Sequence, residues 1–141
     1  MFTAPRRFTG TRKAGVKYEA RVHEHLGSLY GGAYVPSPWF QYQDEAESRV
    51  RYCQPDALLF DSKLRRLIIV EVKLRHTDKA WWQLRHKYGP ILRHVYPWMD
   101  LAYCEVVQWF DPSIPFPEMV ELRPRVAMAR TDEIQVTIWK P

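Results

Sequence analysis

The stretch LRRLIIVEVKLR, Leu64 to Arg75, decides the fold. From Leu67 it is almost purely apolar, as a strand covered on both faces must be. Glu71 and Lys73 then stand two apart inside the run. Strand side chains alternate between faces, so these two project the same way, about 7 Å apart. A buried charge is costly unless it is paired or bound to something. An acid and a base on one face of a core strand therefore call for a partner or a ligand.

Working outward, Pro55–Asp56 opens the apolar segment Ala57 to Phe60, and DSKLRR, Asp61 to Arg66, supplies a tight connection. If Asp56–Phe60 pairs with Leu67–Lys73, Phe60 meets Leu67 near the turn. Asp56 then falls opposite the Glu71–Lys73 end. Two carboxylates and an ammonium converge there. Convergent carboxylates suit a hard divalent cation bound through oxygen. Such a cation polarises a phosphate oxygen, and a neighbouring ammonium stabilises charge that develops in a transition state. Lysine fits because its charge is compact and its pKa adjustable. The open alternative is an ion pair that only ends a strand, in which case Lys73→Met is neutral or stabilising.

Tyr18, Val22, Leu26, Leu29 and Tyr30 recur at helical spacing between Gly15 and Tyr30. Glu19 lies on the border of that stripe and is placed to reach the same site as a third acid. Pro36 and Pro38 mark a loop, and Trp39 to Gln43 alternates as a strand. Pro55 implies an edge, bulge or kink within the next strand. Thr77 or Asp78 caps a helix through Tyr88, with Trp81, Leu84, Tyr88, Ile91 and Val95 on one face and a break or kink at Gly89–Pro90. Met99 to Phe110 and Glu133 to Trp139 read as further strands. This order of helix, strands, helix and strand is an α/β arrangement with a mixed sheet. The reading is one domain over 1–141, with a basic arm at 1–14 and a C-terminal extension at 111–141.

Composition agrees with a folded chain: 46% of the 141 residues are hydrophobic and 14% aromatic, too many for a disordered segment. Lys and Arg number 21 against 16 Asp and Glu, and the net charge of +5 favours a polyanionic partner such as nucleic acid. Cys53 and Cys104 have no C-x-x-C spacing, which excludes a zinc knuckle and a disulfide framework. No apolar run approaches the ~20 residues needed to span a bilayer. No apolar leader follows Met1. The expectation is a reduced, cytoplasmic protein with no membrane partner.

Pro55–Asp56 and Glu71–Val72–Lys73 together resemble the PD-(D/E)XK nuclease superfamily over the span from Gly15 to about Phe110. The resemblance implies a restriction-endonuclease-like core, a mixed β-sheet flanked by helices in the order αβββαβ. It implies hydrolysis of DNA phosphodiester bonds with Mg²⁺, for which Mn²⁺ can substitute. By position, Asp56, Glu71 and Glu19 are similar to the metal-binding and catalytic carboxylates. The Val72 carbonyl would be a backbone ligand, and Lys73 would assist the attacking water. The opening RKAGVKYEARVHEHL is similar to archaeal Holliday-junction resolvases and other small members, many of them phage-encoded. RecB-like members carry a Gln and a Tyr on the second helix. Here Gln83 and Tyr88 are one residue further apart, and on a helical wheel Gln83 lies opposite Trp81, Leu84 and Tyr88.

Arg6, Arg7, Arg12, Lys13, Lys17, Arg75, Lys79, Gln83 and Arg85 are the candidate DNA contacts. His76, His86, Lys87 and Arg93 extend the same phosphate-tracking rim. Trp81 suits a core position and Trp82 an exposed one. His23, one turn from Glu19, approaches the site. The rival reading is a non-catalytic DNA-binding or assembly protein that keeps the fold. Within nucleases, exonuclease and structure-selective endonuclease remain open, and a homodimer suits paired cuts in recombination or repair.

Overall fold

The computed structural model describes residues 11–43, 46, 49–109, 119–123, 126–131 and 134–141. Helix α1 runs over Thr11–Tyr30 and ends in a 3₁₀ turn at Gly31–Ala33. It begins earlier than the apolar stripe suggests, because Thr11 to Ala14 contains good helix formers. Arg12 and Lys13 therefore belong to its exposed first turn and not to an arm. Arg6 and Arg7 lie outside the described residues. Tyr18 and Val22 are buried, whereas Leu29 and Tyr30 in the last turn are exposed, so the working stripe is shorter than the sequence pattern.

Four short strands follow: β1 (Tyr34–Pro36), β2 (Phe40–Gln43), β3 (Val50–Cys53) and β4 (Ala57–Asp61). Next come β5 (Arg66–Arg75), α2 (Asp78–Trp82), a π-helical turn (Gln83–Tyr88), α3 (Gly89–Val95) and β6 (Asp100–Trp109). The chain continues through β7 (Met119–Arg123), β8 (Val126–Thr131) and β9 (Ile134–Trp139).

The architecture is α/β around a seven-stranded mixed sheet in the order β1-β4-β5-β6-β9-β8-β7. β5 is antiparallel to β4 and parallel to β6. The expected hairpin register holds, with Phe60 opposite Leu67 and Ala57 opposite Val70. Two expectations change. The Trp39–Gln43 strand does not join this sheet: β2 pairs only with β3 in a separate two-stranded ribbon. The strand beside β4 is instead Tyr34–Pro36, read from sequence as loop. Proline is tolerated there because β1 is the edge of the sheet. The C-terminal residues are not an appendage, since β9 pairs with β6 and carries β8 and β7 with it.

Alternation along β5 divides the core. Leu67 and Ile69 face the α2–α3 side with Leu84, Tyr88, Leu92 and Val107. Val70 and Val72 face α1 with Tyr18, Val22 and Val106. Glu71 and Lys73 share the parity of Leu67 and Ile69, which explains why an acid and a base sit on one core face.

The helical segment after β5 does not break at Gly89–Pro90. Proline in a continuing α-helix clashes with the carbonyl four residues back. The wide π turn precedes it, and Pro90 occupies the first turn of α3, where no donor is demanded. The same turn rotates the following residues, so Leu92 is fully buried while Ile91 is half-buried and Val95 exposed. Gly89 is where this segment presses on the sheet. A Cβ there would collide with the Tyr103 hydroxyl and approach the Leu84 carbonyl to 2.9 Å. Gly89→Ala should therefore lower the unfolding free energy in urea by about 1–3 kcal/mol. Adding Tyr103→Phe should restore part of that loss, and an unchanged Gly89→Ala midpoint would refute the contact.

Candidate active site

Asp56 stands one residue before β4, beyond the last ladder pair, and its carboxylate turns onto β5. The Val72 N–H donates to Asp56 Oδ2 at 2.7 Å. In an extended strand the N–H and C=O of one residue point to the same edge. The Val72 carbonyl therefore faces the side on which Asp56 lies. The backbone around Asp56 is fixed too: the Ser37 N–H donates to the Asp56 carbonyl at 2.7 Å, and Gln54 Nε2 donates to the Ser37 carbonyl at 2.9 Å. Ser37 sits in the left-handed region at φ 50, where the chain leaves β1 for the ribbon. A non-glycine residue there is mildly strained and is held by its surroundings. No motif in the sequence pointed to Ser37.

Glu71 is buried in mid-strand, and Lys73 Nζ lies 3.3 Å from its Oε1. Burial first, then the charge of Asp56, pushes the Glu71 carboxyl well above its ordinary range, against the pull of Lys73. Asp56 is raised as well, mainly by burial and then by Glu19, with the Val72 N–H, Lys73 and His23 opposing. The expected convergence of Asp56, Glu71 and Lys73 is present.

Glu19 approaches from α1. Its Oε1 lies 3.2 Å from His23 Nε2, and His23 Nδ1 shares a 2.6 Å hydrogen bond with the Tyr34 hydroxyl on β1. Both Glu19 and His23 are close enough to act electrostatically on Asp56.

A second buried acid was not singled out in the sequence. Glu105 on β6 is the register partner of Glu71 and is fully buried. Its Oε1 accepts from Trp81 Nε1 at 3.1 Å and shares a 2.6 Å hydrogen bond with His76 Nδ1. Burial pushes Glu105 up to about 8 and lowers His76. Burial thus disfavours the charged form of both partners of this hydrogen bond. His76 is thus a buried member of this set and not a rim cation. Its imidazole is almost wholly enclosed, with Asp78 Oδ1 3.6 Å from Nε2. The sequence signal for Glu105, an acid inside the apolar run AYCEVV, is the one that marked Glu71.

Gln83 also departs from expectation. The π turn brings it inward, and its Oε1 is buried without a hydrogen-bond partner among the described residues, as are Oε2 of Glu71 and Oε2 of Glu105. Tyr88, five residues on, is buried, donates to the Gln54 carbonyl at 3.4 Å and feels the charges of Glu71 and Asp56. The extra residue between Gln83 and Tyr88 is taken up by the π turn, a feature frequent at functional sites.

Among the described residues no group of three or more His, Cys, Asp or Glu is disposed to hold a metal ion. The donors that do fit a hard cation are the Asp56 and Glu71 carboxylates with the Val72 carbonyl. Two close, buried carboxylates with elevated proton affinity have the electrostatic character of a site that binds a cation or a proton. The other candidates are dispersed. Arg12, Lys13, Lys17, Arg75 and Lys79 are exposed, Trp82 is exposed beside His86, and Arg85 lies over the Trp81 ring at 5.9 Å. Among the described residues no helix is long and apolar enough to cross a membrane. No protein-family model, curated protein or solved structure matches the chain.

Asp56, Glu71 and Glu105 all hold protons more tightly folded than unfolded. From the ordinary carboxylate range up to about 8 these three carboxyls bind more protons folded than unfolded, and His76, whose ring holds its proton less tightly when folded, offsets only part of that excess. The unfolding free energy falls as pH rises through that window. Urea midpoints in EDTA should decline from about pH 5 to about pH 8, and Glu105→Gln should flatten the decline. A wild-type midpoint independent of pH would contradict the assignment.

Proposed function

We propose that the protein is a Mg²⁺-dependent deoxyribonuclease of the PD-(D/E)XK type with a restriction-endonuclease-like core. The observation that carries the reading is the meeting of Asp56, Glu71 and Lys73 where β5 runs past the last β4 pair, with Asp56 bonded to the Val72 N–H. With the β2–β3 ribbon set aside as an insertion between β1 and β4, the order α1, β1, β4, β5, α2–α3, β6 supports it, as does the net charge of +5. Asp56, Glu71 and the Val72 carbonyl would hold the cation, with Glu19 at its rim. A bound divalent cation would make water more acidic and polarise a phosphate oxygen. Lys73 keeps an ammonium beside Glu71, placed to orient the attacking water and to offset charge building on the phosphate. The apolar core on this face of β5, with Ile69 and Tyr88, lowers the local dielectric, which strengthens each of these interactions.

A panel of single-stranded, duplex, circular and branched DNA with Mg²⁺ or Mn²⁺ tests the reading. Cleavage should require the metal. Asp56→Ala and Lys73→Ala should each slow it by about 10²–10³-fold or more, with thermal unfolding showing that both variants are still cooperatively folded at the assay temperature. Full activity in either purified variant would remove the assignment.

One observation favours a non-catalytic DNA-binding or assembly protein: Lys73 already satisfies one oxygen of Glu71, as in a structural ion pair. Titration calorimetry separates the two. Heat of Mg²⁺ or Mn²⁺ binding that disappears in Asp56→Ala supports the nuclease. Its absence, with the paired replacement Glu71→Leu/Lys73→Met neutral or stabilising, supports the rival.

A further inference from the structure

The β2–β3 ribbon is an insertion between two neighbouring strands of the main sheet, and both of its ends are tied to the site. It leaves at Ser37, whose N–H is bonded to the Asp56 carbonyl, and it returns through Gln54 and Pro55 into Asp56 itself. Its inner face is accounted for: Phe40 and Tyr42 pack against the α2–α3 core and Cys53 is buried in it. Its outer face is not. Gln41 opposes Tyr52 and Gln43 opposes Val50, so these four side chains share one surface. All four are exposed, Tyr52 by 63%, and Trp39 at the start of β2 by 67%. Two large rings are displayed to solvent near the end of the ribbon that joins Ser37 and Asp56.

The chemistry of that surface selects its occupant. Among the described residues, the outward positions of β2 and β3 carry rings, amides and an aliphatic side chain but no charge. Such a surface offers π-faces and amide groups, which suit the planar, uncharged, hydrogen-bonding face and edges of a nucleobase. Phosphate would be met nearby by cations. Lys87 acts electrostatically on Cys53, and Lys73 lies in the site. The sequence between β2 and β3 holds Asp44, Glu45 and Glu47, a charge that disfavours phosphate there and favours the end next to Asp56.

We propose that the outer face of the ribbon, centred on Trp39 and Tyr52, is a stacking platform for unpaired bases of the strand that enters the site. This rests on the nuclease reading and narrows it, making the substrate class a nucleic acid with a single-stranded segment. An intact duplex keeps its bases stacked on one another and has no free ring face to offer.

Binding is measured in EDTA by fluorescence anisotropy, with a labelled oligothymidylate and a blunt duplex of equal length, on the full chain. The wild type should bind the oligothymidylate. The Trp39→Ala/Tyr52→Ala double variant should bind it about tenfold or more weakly, with duplex affinity little changed. Trp39→Phe/Tyr52→Phe should retain most of the affinity, since a ring remains, and thermal unfolding confirms that both variants are folded. No oligothymidylate binding by the wild type, or equal binding by the alanine variant, overturns the platform. So does a wild-type dimer in sedimentation that the alanine variant makes monomeric without loss of oligothymidylate affinity, because the rings then serve a protein contact. Cleavage is scored separately. Ring-dependent binding without metal-dependent cleavage leaves the platform standing and removes the nuclease. Cleavage of single strands that ignores both rings does the reverse.

Discussion

The costliest arrangement in this molecule is a group of carboxylates withdrawn from water in the middle of a sheet. Asp56, Glu71 and Glu105 come from three adjacent segments, and one ammonium, that of Lys73, lies against the central one. Burying an ion costs several kcal/mol even after relaxation, and like charges add to it. The surrounding groups compensate in different ways. Asp56 receives a backbone N–H, Glu71 receives Lys73, and Glu105 is hydrogen-bonded to His76 while accepting from Trp81. The fold tolerates the residue of this cost because the apolar walls on both faces of β5 supply the bulk of its stability. A stability optimum alone would replace such groups by aliphatic ones. Their retention in a core strand is the physical reason to look for chemistry here.

Much of this arrangement was legible in the sequence, and the rest was illegible for identifiable reasons. The β4–β5 register could be derived because a short turn and a period of two leave little freedom, so Phe60 had to meet Leu67 and Asp56 had to approach Glu71. β1 escaped because three residues ending in proline are too few to show alternation. The Trp39–Gln43 strand was visible, but alternation says nothing about which sheet a strand joins. Glu105 escaped because its partners, His76 and Trp81, come from other elements, so no local pair advertised it. The inward turn of Gln83 depends on a π turn, which has no spacing rule of its own and misleads a wheel drawn at α-helical pitch.

The α2–α3 segment shows how one local irregularity serves two ends. The wide turn admits Pro90 without a clash and rotates Leu92 into the core. It also places Gln83 and Tyr88 on the side of the carboxylates. Gly89 then lets the segment lie directly on Tyr103. Helix pitch, core packing and the lining of the site are therefore one coupled choice, and a change that regularised the helix would disturb all three.

The sheet topology has a kinetic side. β5 is complete only when Leu67 finds Leu101 across a parallel pairing, and β6 only when Tyr103 finds Ile134. Contacts so distant along the chain are formed late, because loop closure must be met before they give any return. Until then the run Leu67–Val70 is an uncovered, strongly β-prone strand, the kind of segment that pairs with other molecules. Arg65 and Arg66 before it and Lys73 and Arg75 after it flank that run with positive charge. Such bracketing makes edge-to-edge association repulsive while the chain waits for its partners. Lys73 thus belongs both to the charges that bracket the apolar run and to the group that faces the carboxylates.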